Sequence, residues 1–133
     1  MVVHPLGVPG LTIGLLGGSF DPPHEGHVHI TKQAIKAFNL SKIWWLVSPG
    51  NPLKGWEPEK ISKRSKACKK IMRHPAVTIT NIESSLGSRF TAETIYKLQR
   101  IYPQVRFVWL MGADNLVNFH HWDKWNWIVK NVP

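Results

Sequence analysis

A chain of 133 residues, 43% apolar and 19% charged, has the length for one domain burying roughly two thirds of the surface its unfolded form exposes, and its composition excludes disorder. Seventeen Lys and Arg against eight Asp and Glu leave a formal charge of +9, which attracts polyanions such as nucleic acid, anionic lipid or nucleotide phosphates without choosing among them. Cys68 is the only cysteine, so an internal disulfide is excluded and a reducing, cytoplasmic location is expected.

The opening stretch MVVHPLGVPGLTIGLLGG is apolar but has no basic n-region and is interrupted by Pro5 and Pro9, so no cleavable signal is expected. No apolar run approaches the about 20 residues that span a bilayer, and no membrane partner is expected. Runs rich in Val, Ile and Trp at 11–16, 43–48, 77–82 and 105–111 predict strands. Each is continuous in apolar or β-branched residues, as strands covered on both faces tend to be. Segments of helical period at 26–38, 60–73, 91–102 and 122–130 alternate with them, which is the mark of an α/β chain whose strand-helix units share a parallel sheet. Loops are expected at 49–59 and 84–90, after the carboxyl ends of strands two and three, the end where open α/β sheets bind ligands.

The first strand runs into GLLGGSFDPPHEGHVHI. Gly17 and Gly18 admit a ligand close to backbone amides and permit positive φ. Pro22 and Pro23 stiffen the turn, and a helix starting near Gly26 aims unpaired amides at the same loop, an arrangement that favours anions. His24 and His27 flank that start, close enough to touch one phosphate chain. Each can donate N–H bonds to phosphate oxygens, and with an ordinary pKa of about 6.5 each can be drawn cationic by that neighbour. HEGH is the wrong spacing for a zinc helix, which uses H-E-x-x-H, so no protein metal site is expected. Asp21 reads as a turn former before the two prolines.

GGSFDPPHEGH resembles the Gly-Gly-[Ser/Thr]-Phe-Asp-Pro-x-His-x-Gly-His signature of the HIGH-motif nucleotidyltransferases, and within them the bacterial nicotinate-nucleotide adenylyltransferases. The resemblance implies a Rossmann-like, doubly wound parallel sheet. It also implies that His24 and His27 hold ATP phosphates while Gly17, Gly18, Ser19 and Phe20 line the nucleotide. Phosphopantetheine adenylyltransferases resemble the same motif and stand as the alternative.

Later segments extend the likeness. SPGNPLK resembles the family's Pro-x-x-x-Pro-x-Lys loop and puts the Lys54 cation within reach of phosphate. In the next helix Lys60, Lys63, Arg64, Lys66, Lys69, Lys70 and Arg73 accompany Ile61, Cys68, Ile71 and Met72 at helical spacing, so the basic residues read as the solvated side of an amphipathic helix and not as a specific nucleic-acid contact. SRFTAETI resembles the family's [Ser/Pro]-Tyr-Thr segment, with Phe90 in place of Tyr. Thr91 there opens a helix, which it can also cap, and by resemblance borders the nicotinate pocket. FVWLMGADNLVNFHHW resembles the Gly-x-Asp-[Ser/Asn]-Leu run with its following Trp. Gly112 lets a ribose approach, Asp114 accepts hydroxyl bonds, and the Trp122 face suits an electron-poor ring. Trp109, Trp125 and Trp127 fall to core or surface by default, and His120 and His121 carry no assignment.

The implied reaction is adenylyl transfer from ATP to nicotinate mononucleotide, giving deamido-NAD and pyrophosphate. His24, His27 and Lys54 act on the phosphates, with Mg²⁺ bound through the ATP phosphates. Residues 1–133 read as a single domain of this kind that ends, at Asn131, Val132 and Pro133, where another strand is expected. The family's Ile-Ser-x-Thr-x-[Ile/Leu]-Arg motif has no counterpart. The expectation is a C-terminally incomplete sheet whose exposed apolar edge favours homo-oligomers, with a catalytically impaired nucleotide-binding fragment as the second reading.

Overall fold

The computed structural model describes residues 10–20, 22–49, 60–88, 90–112 and 119–133. Its elements are β1 (Thr12–Gly18), α1 (Glu25–Ala37), β2 (Lys42–Val47), α2 (Ile61–Ile71), β3 (Val77–Thr80), α3 (Ile82–Leu86), α4 (Thr91–Ile101), β4 (Arg106–Leu110), a 3-10 turn (Phe119–His121) and α5 (Trp125–Asn131). The four strands form one parallel sheet in the order β3-β2-β1-β4. The α/β parallel-sheet expectation holds.

The unbroken apolar strands are explained by cover on both faces. Ile13, Leu15, Trp44, Leu46 and Phe107 pack with Ile82, Ile95, Leu98 and Ile128 of α3, α4 and α5. Leu16, Ile43, Trp45, Val47 and Ile79 pack with Val28, Ala34, Cys68 and Met72 from α1 and the α2 region. The adjacent Trp44 and Trp45 thus enter opposite cores, both fully buried. Trp45 Nε1 donates to Thr31 Oγ1 at 2.8 Å, and Thr31 Oγ1 donates to His27 O at 2.8 Å. A buried indole N–H without such a partner costs about 1–3 kcal/mol, so the pair fixes α1 against β2. Burial pushes the Cys68 thiol up to about 12, against the pull of Arg64, and a thiol so protonated is inert.

Three expectations need correction. The third strand stops at Thr80 and not at 82, because Ile82 swings into the core as the first residue of α3. That helix also replaces the first part of the expected 84–90 loop. The last helix starts at Trp125 and not at 122, because Lys124 sits at φ 53, a left-handed conformation that no α-helix continues through. After α5, Val132 is extended and Pro133 O accepts from Trp109 N–H at 3.1 Å, so the chain runs against β4. Among the described residues no helix is long and apolar enough to cross a membrane.

Candidate active site

The strand order sets the place. β1, β2 and β3 are laid down outward in sequence, and β4 then returns to the other side of β1, so the winding reverses between β1 and β4 and opens a crevice at their carboxyl ends. A cavity of about 450 Å³ lies there, lined by Leu16, Gly17, Gly18, Ser19, Phe20, Pro22, His24, Gly26, His27, Ile30 and Gly112. Seven residues assigned to the nucleotide, namely Gly17, Gly18, Ser19, Phe20, His24, His27 and Gly112, therefore share one hollow. Lys54, Asp114 and the turn former Asp21 lie outside the described residues.

The two imidazoles close the helix start by exchanging bonds. Gly26 N–H donates to His24 Nδ1 at 3.0 Å, and His24 N–H donates to His27 Nδ1 at 3.1 Å, the reciprocal pattern that Ser and Glu form in an ordinary capping box. The ring centroids lie 3.9 Å apart. A ring nitrogen that accepts from an amide carries no proton, so each neutral ring holds its hydrogen on Nε2. Two N–H donors result, on rings inclined at 31°, and an imidazolium would have to surrender its capping bond. This revises the expectation that the helix amides meet the anion unpaired, since the Gly26 amide is taken by His24. A Cβ on Gly26 would sit 2.8 Å from the His24 ring, so any side chain there would have to displace the capping ring.

Phe20 backs this arrangement. Its ring stacks on Trp45 at 4.9 Å and lies 4.5 Å from His27, and only 1% of it is exposed. The positive φ that Gly17 and Gly18 permit occurs instead at Phe20, φ 51. Gly17 is needed for space: a Cβ there would lie 2.7 Å from the Trp109 ring. Trp109, left to core or surface by its sequence, is thus packed onto the glycine strand. Its ring meets Trp122 edge-on at 6.1 Å, and Trp122 meets Phe119 at 5.2 Å. Trp122 stands one ring removed from Gly17, behind Trp109, and is not itself a wall of the cavity.

Arg64 overturns part of the reading of the basic helix. It is 3% exposed, and its Nη1 donates to Ser19 O at 2.7 Å and Ser48 O at 2.6 Å. The other basic residues described on that helix, Lys63, Lys66, Lys69 and Lys70, are exposed as expected. The signal was present in the spacing, since Ile61, Arg64, Cys68 and Ile71 lie on one helical stripe.

Thr91 opens α4 but does not cap it: the N-cap is Phe90, with no side-chain bond. Thr91 is also not a wall of the cavity. Its turn is held instead by Thr94, whose Oγ1 donates to Glu83 Oε2 at 3.1 Å and lies 3.3 Å from Phe90 O. Burial pushes the Glu83 carboxyl up to about 7, opposed by the hydrogen bond from Thr94. A carboxyl raised above its unfolded value binds its proton more tightly in the fold, so the stability it lends is complete below about pH 4.5 and is lost as pH rises through about 7. Urea unfolding at about pH 5 and about pH 8 is expected to show a decline on the order of 2 kcal/mol that Glu83→Gln removes. Equal pH slopes in the two proteins would exclude a protonated Glu83.

Comparisons with known proteins agree with this architecture. A relative from Cereibacter sphaeroides named "Probable nicotinate-nucleotide adenylyltransferase" is 58% identical over 123 residues, 92% of this chain and 65% of its own. One of the same name from Ruegeria pomeroyi is 57% identical over 129 residues, 97% of this chain and 61% of its own. The chain thus spans a little under two thirds of the length of these curated relatives. The solved nicotinic acid mononucleotide adenylyltransferase of Plasmodium falciparum, complexed with NaAD, shares the fold with a TM-score of 0.79 at 18% identity, covering 90% of this chain and 60% of its own. A match to the cytidylyltransferase-like family runs over residues 15–133, which takes in Gly17, Gly18, both histidines and Gly112. The chain belongs to the cytidylyltransferase-like family.

Proposed function

We propose that this chain transfers the adenylyl group of ATP to nicotinate mononucleotide, forming deamido-NAD and releasing pyrophosphate. The observation that carries the reading is the pair of rings at the start of α1, 3.9 Å apart, on the wall of a cavity shared with the glycine strand. The relatives' names and the cavity's place at the winding reversal support it. In this reading residues 1–133 act as one nucleotidyltransferase domain in the cytoplasm.

The mononucleotide's phosphate is the nucleophile. Its second pKa is near 6, so it is anionic at neutral pH and needs no protein base. It attacks the α-phosphorus of ATP in line; the new P–O bond forms as the bond to the β-phosphate's bridging oxygen breaks, and pyrophosphate leaves. The protein's task is to hold two anions in line and to stabilise the charge that grows on the phosphate oxygens. His24 and His27 do this through Nε2–H, with Lys54 supplying a cation. Gly17, Gly18 and Gly112 leave room for the nucleotide, with Asp114 taking its hydroxyls. Thr91 and Trp122 belong to the nicotinate side in this reading, with Trp122 edge-on behind Trp109. Mg²⁺ enters with ATP as part of the substrate. The cavity's described side chains offer imidazole N–H groups and not carboxylates, a donor set suited to phosphate oxygens.

Pyrophosphate release should require both ATP and nicotinate mononucleotide in the presence of Mg²⁺. Release with neither pyridine mononucleotide, nicotinate or nicotinamide, at high protein concentration would overturn the transfer reading. ATP binding without release, read by calorimetry, would leave a nucleotide-binding protein in its place.

A further inference from the structure

The one buried cation among the described residues outside the cavity wall is Arg64. Taking a guanidinium out of water is costly unless its N–H groups are bonded. Arg64 Nη1 donates to two backbone carbonyls, Ser19 O and Ser48 O, 45 and 16 residues away in the chain. These carbonyls stand just past the ends of β1 and β2, where Ser48 N–H also donates to Gly18 O at 2.9 Å. Arg64 therefore clamps the carboxyl ends of β1 and β2, next to the glycine turn.

The Ser19 bond has a second consequence. A trans peptide points its C=O and N–H in opposite directions, so a carbonyl held by Arg64 turns the Phe20 N–H away from the guanidinium. Phe20 follows at φ 51, a conformation that persists for a bulky residue only where its surroundings over-determine it. Trp45 and His27 hold the ring; Arg64 holds the peptide before it.

We propose that Arg64 is a positioning residue for adenylyl transfer, clamping the carbonyls of Ser19 and Ser48 so that the peptide preceding Phe20 and the exit from β2 hold the spacing the triphosphate requires. The proposal rests on the transfer reading above. Arg64 does not line the cavity; in this proposal it acts through Ser19, Phe20 and Ser48. Lysine is a partial substitute, since its ammonium can donate to both carbonyls but is more strongly hydrated and lacks the planar fork.

The test compares Arg64→Met, which keeps an apolar stem and removes the donors, with Arg64→Lys. Arg64→Met should lower kcat for pyrophosphate release by roughly 10- to 100-fold, the scale of one charge-assisted hydrogen bond, with KM for nicotinate mononucleotide within about twofold. Arg64→Lys should recover part of that loss. Amide exchange by NMR supplies a readout independent of turnover: in Arg64→Met the Ser48 N–H should exchange faster, while Tyr102 N–H, bonded to Leu98 O in α4, keeps its protection. Unchanged exchange at Ser48, or a kcat equal to the parent's, overturns the proposal. So does a loss of activity in both variants that merely follows the folded fraction, with faster exchange at Ser48 and Tyr102 alike, because Arg64 is then a structural strut and nothing more. An inactive parent chain sinks the transfer reading by itself and leaves the exchange comparison to decide whether Arg64 holds the strand ends.

Discussion

Replacing His27 by alanine is expected to slow pyrophosphate release by roughly 10²- to 10³-fold, the cost of removing one donor aimed at charge developing in a transition state. Two roles of the ring are lost together. In the transfer reading its Nε2–H is the donor to phosphate, and its Nδ1 accepts the His24 amide at 3.1 Å. Loss of the second role alone costs about 1 kcal/mol of stability, the usual worth of a helix cap, far too little to unfold a domain of ordinary stability. The separation can be read directly from His27→Asn. An asparagine oxygen can still accept from the His24 amide, but the side chain is shorter than imidazole and does not carry a donor to the place of Nε2. His27→Asn should therefore be nearly as slow as His27→Ala while unfolding close to the parent in urea. If both variants stay within about threefold of the parent rate, the paired imidazoles are a cap and not a phosphate site, since no transition-state donor is worth so little.

The histidine pair could be read from the sequence because its signal is local. Two imidazoles three residues apart at a helix entrance must share a face, whatever the rest of the chain does. The strands were legible for a similar reason, as continuous apolar runs fit a sheet covered on both sides, and the two cores on its faces bear this out. What escaped were features decided by distant partners. Arg64 lay on an apolar stripe by its spacing but looked like its neighbours by its charge; only the Ser19 and Ser48 carbonyls explain why it turns inward. Trp109 carried no signal that its ring would need the space left by Gly17, because that contact joins β1 to β4 across the winding reversal. The cap of α4 was misread because Thr91 matches a capping residue by type, whereas Thr94 and Glu83 tie the turn.

The Phe20 position sets packing against backbone strain, and the magnitudes decide which wins. Phe20→Ala removes a ring that is 1% exposed and stacked on Trp45; truncations of this kind cost about 3–5 kcal/mol. Alanine keeps a Cβ, so the left-handed backbone at φ 51 remains unfavourable and no strain is returned. Glycine loses the same ring but adopts that conformation freely, which returns on the order of 1 kcal/mol. The expected order of stability is therefore parent, then Phe20→Gly, then Phe20→Ala, the reverse of what the two residues give in a helix or strand. Both variants should also lose pyrophosphate release beyond their loss of folded protein, because the His27 ring, 4.5 Å from Phe20, is left with a void to turn into. Urea midpoints for the three proteins and rates corrected for the folded fraction check both parts. Should Phe20→Ala prove more stable than Phe20→Gly, the left-handed backbone is not a fixed feature of the turn. Should the corrected rates equal the parent's, the aromatic backing of His27 contributes to stability alone, and the cavity holds its donors without it.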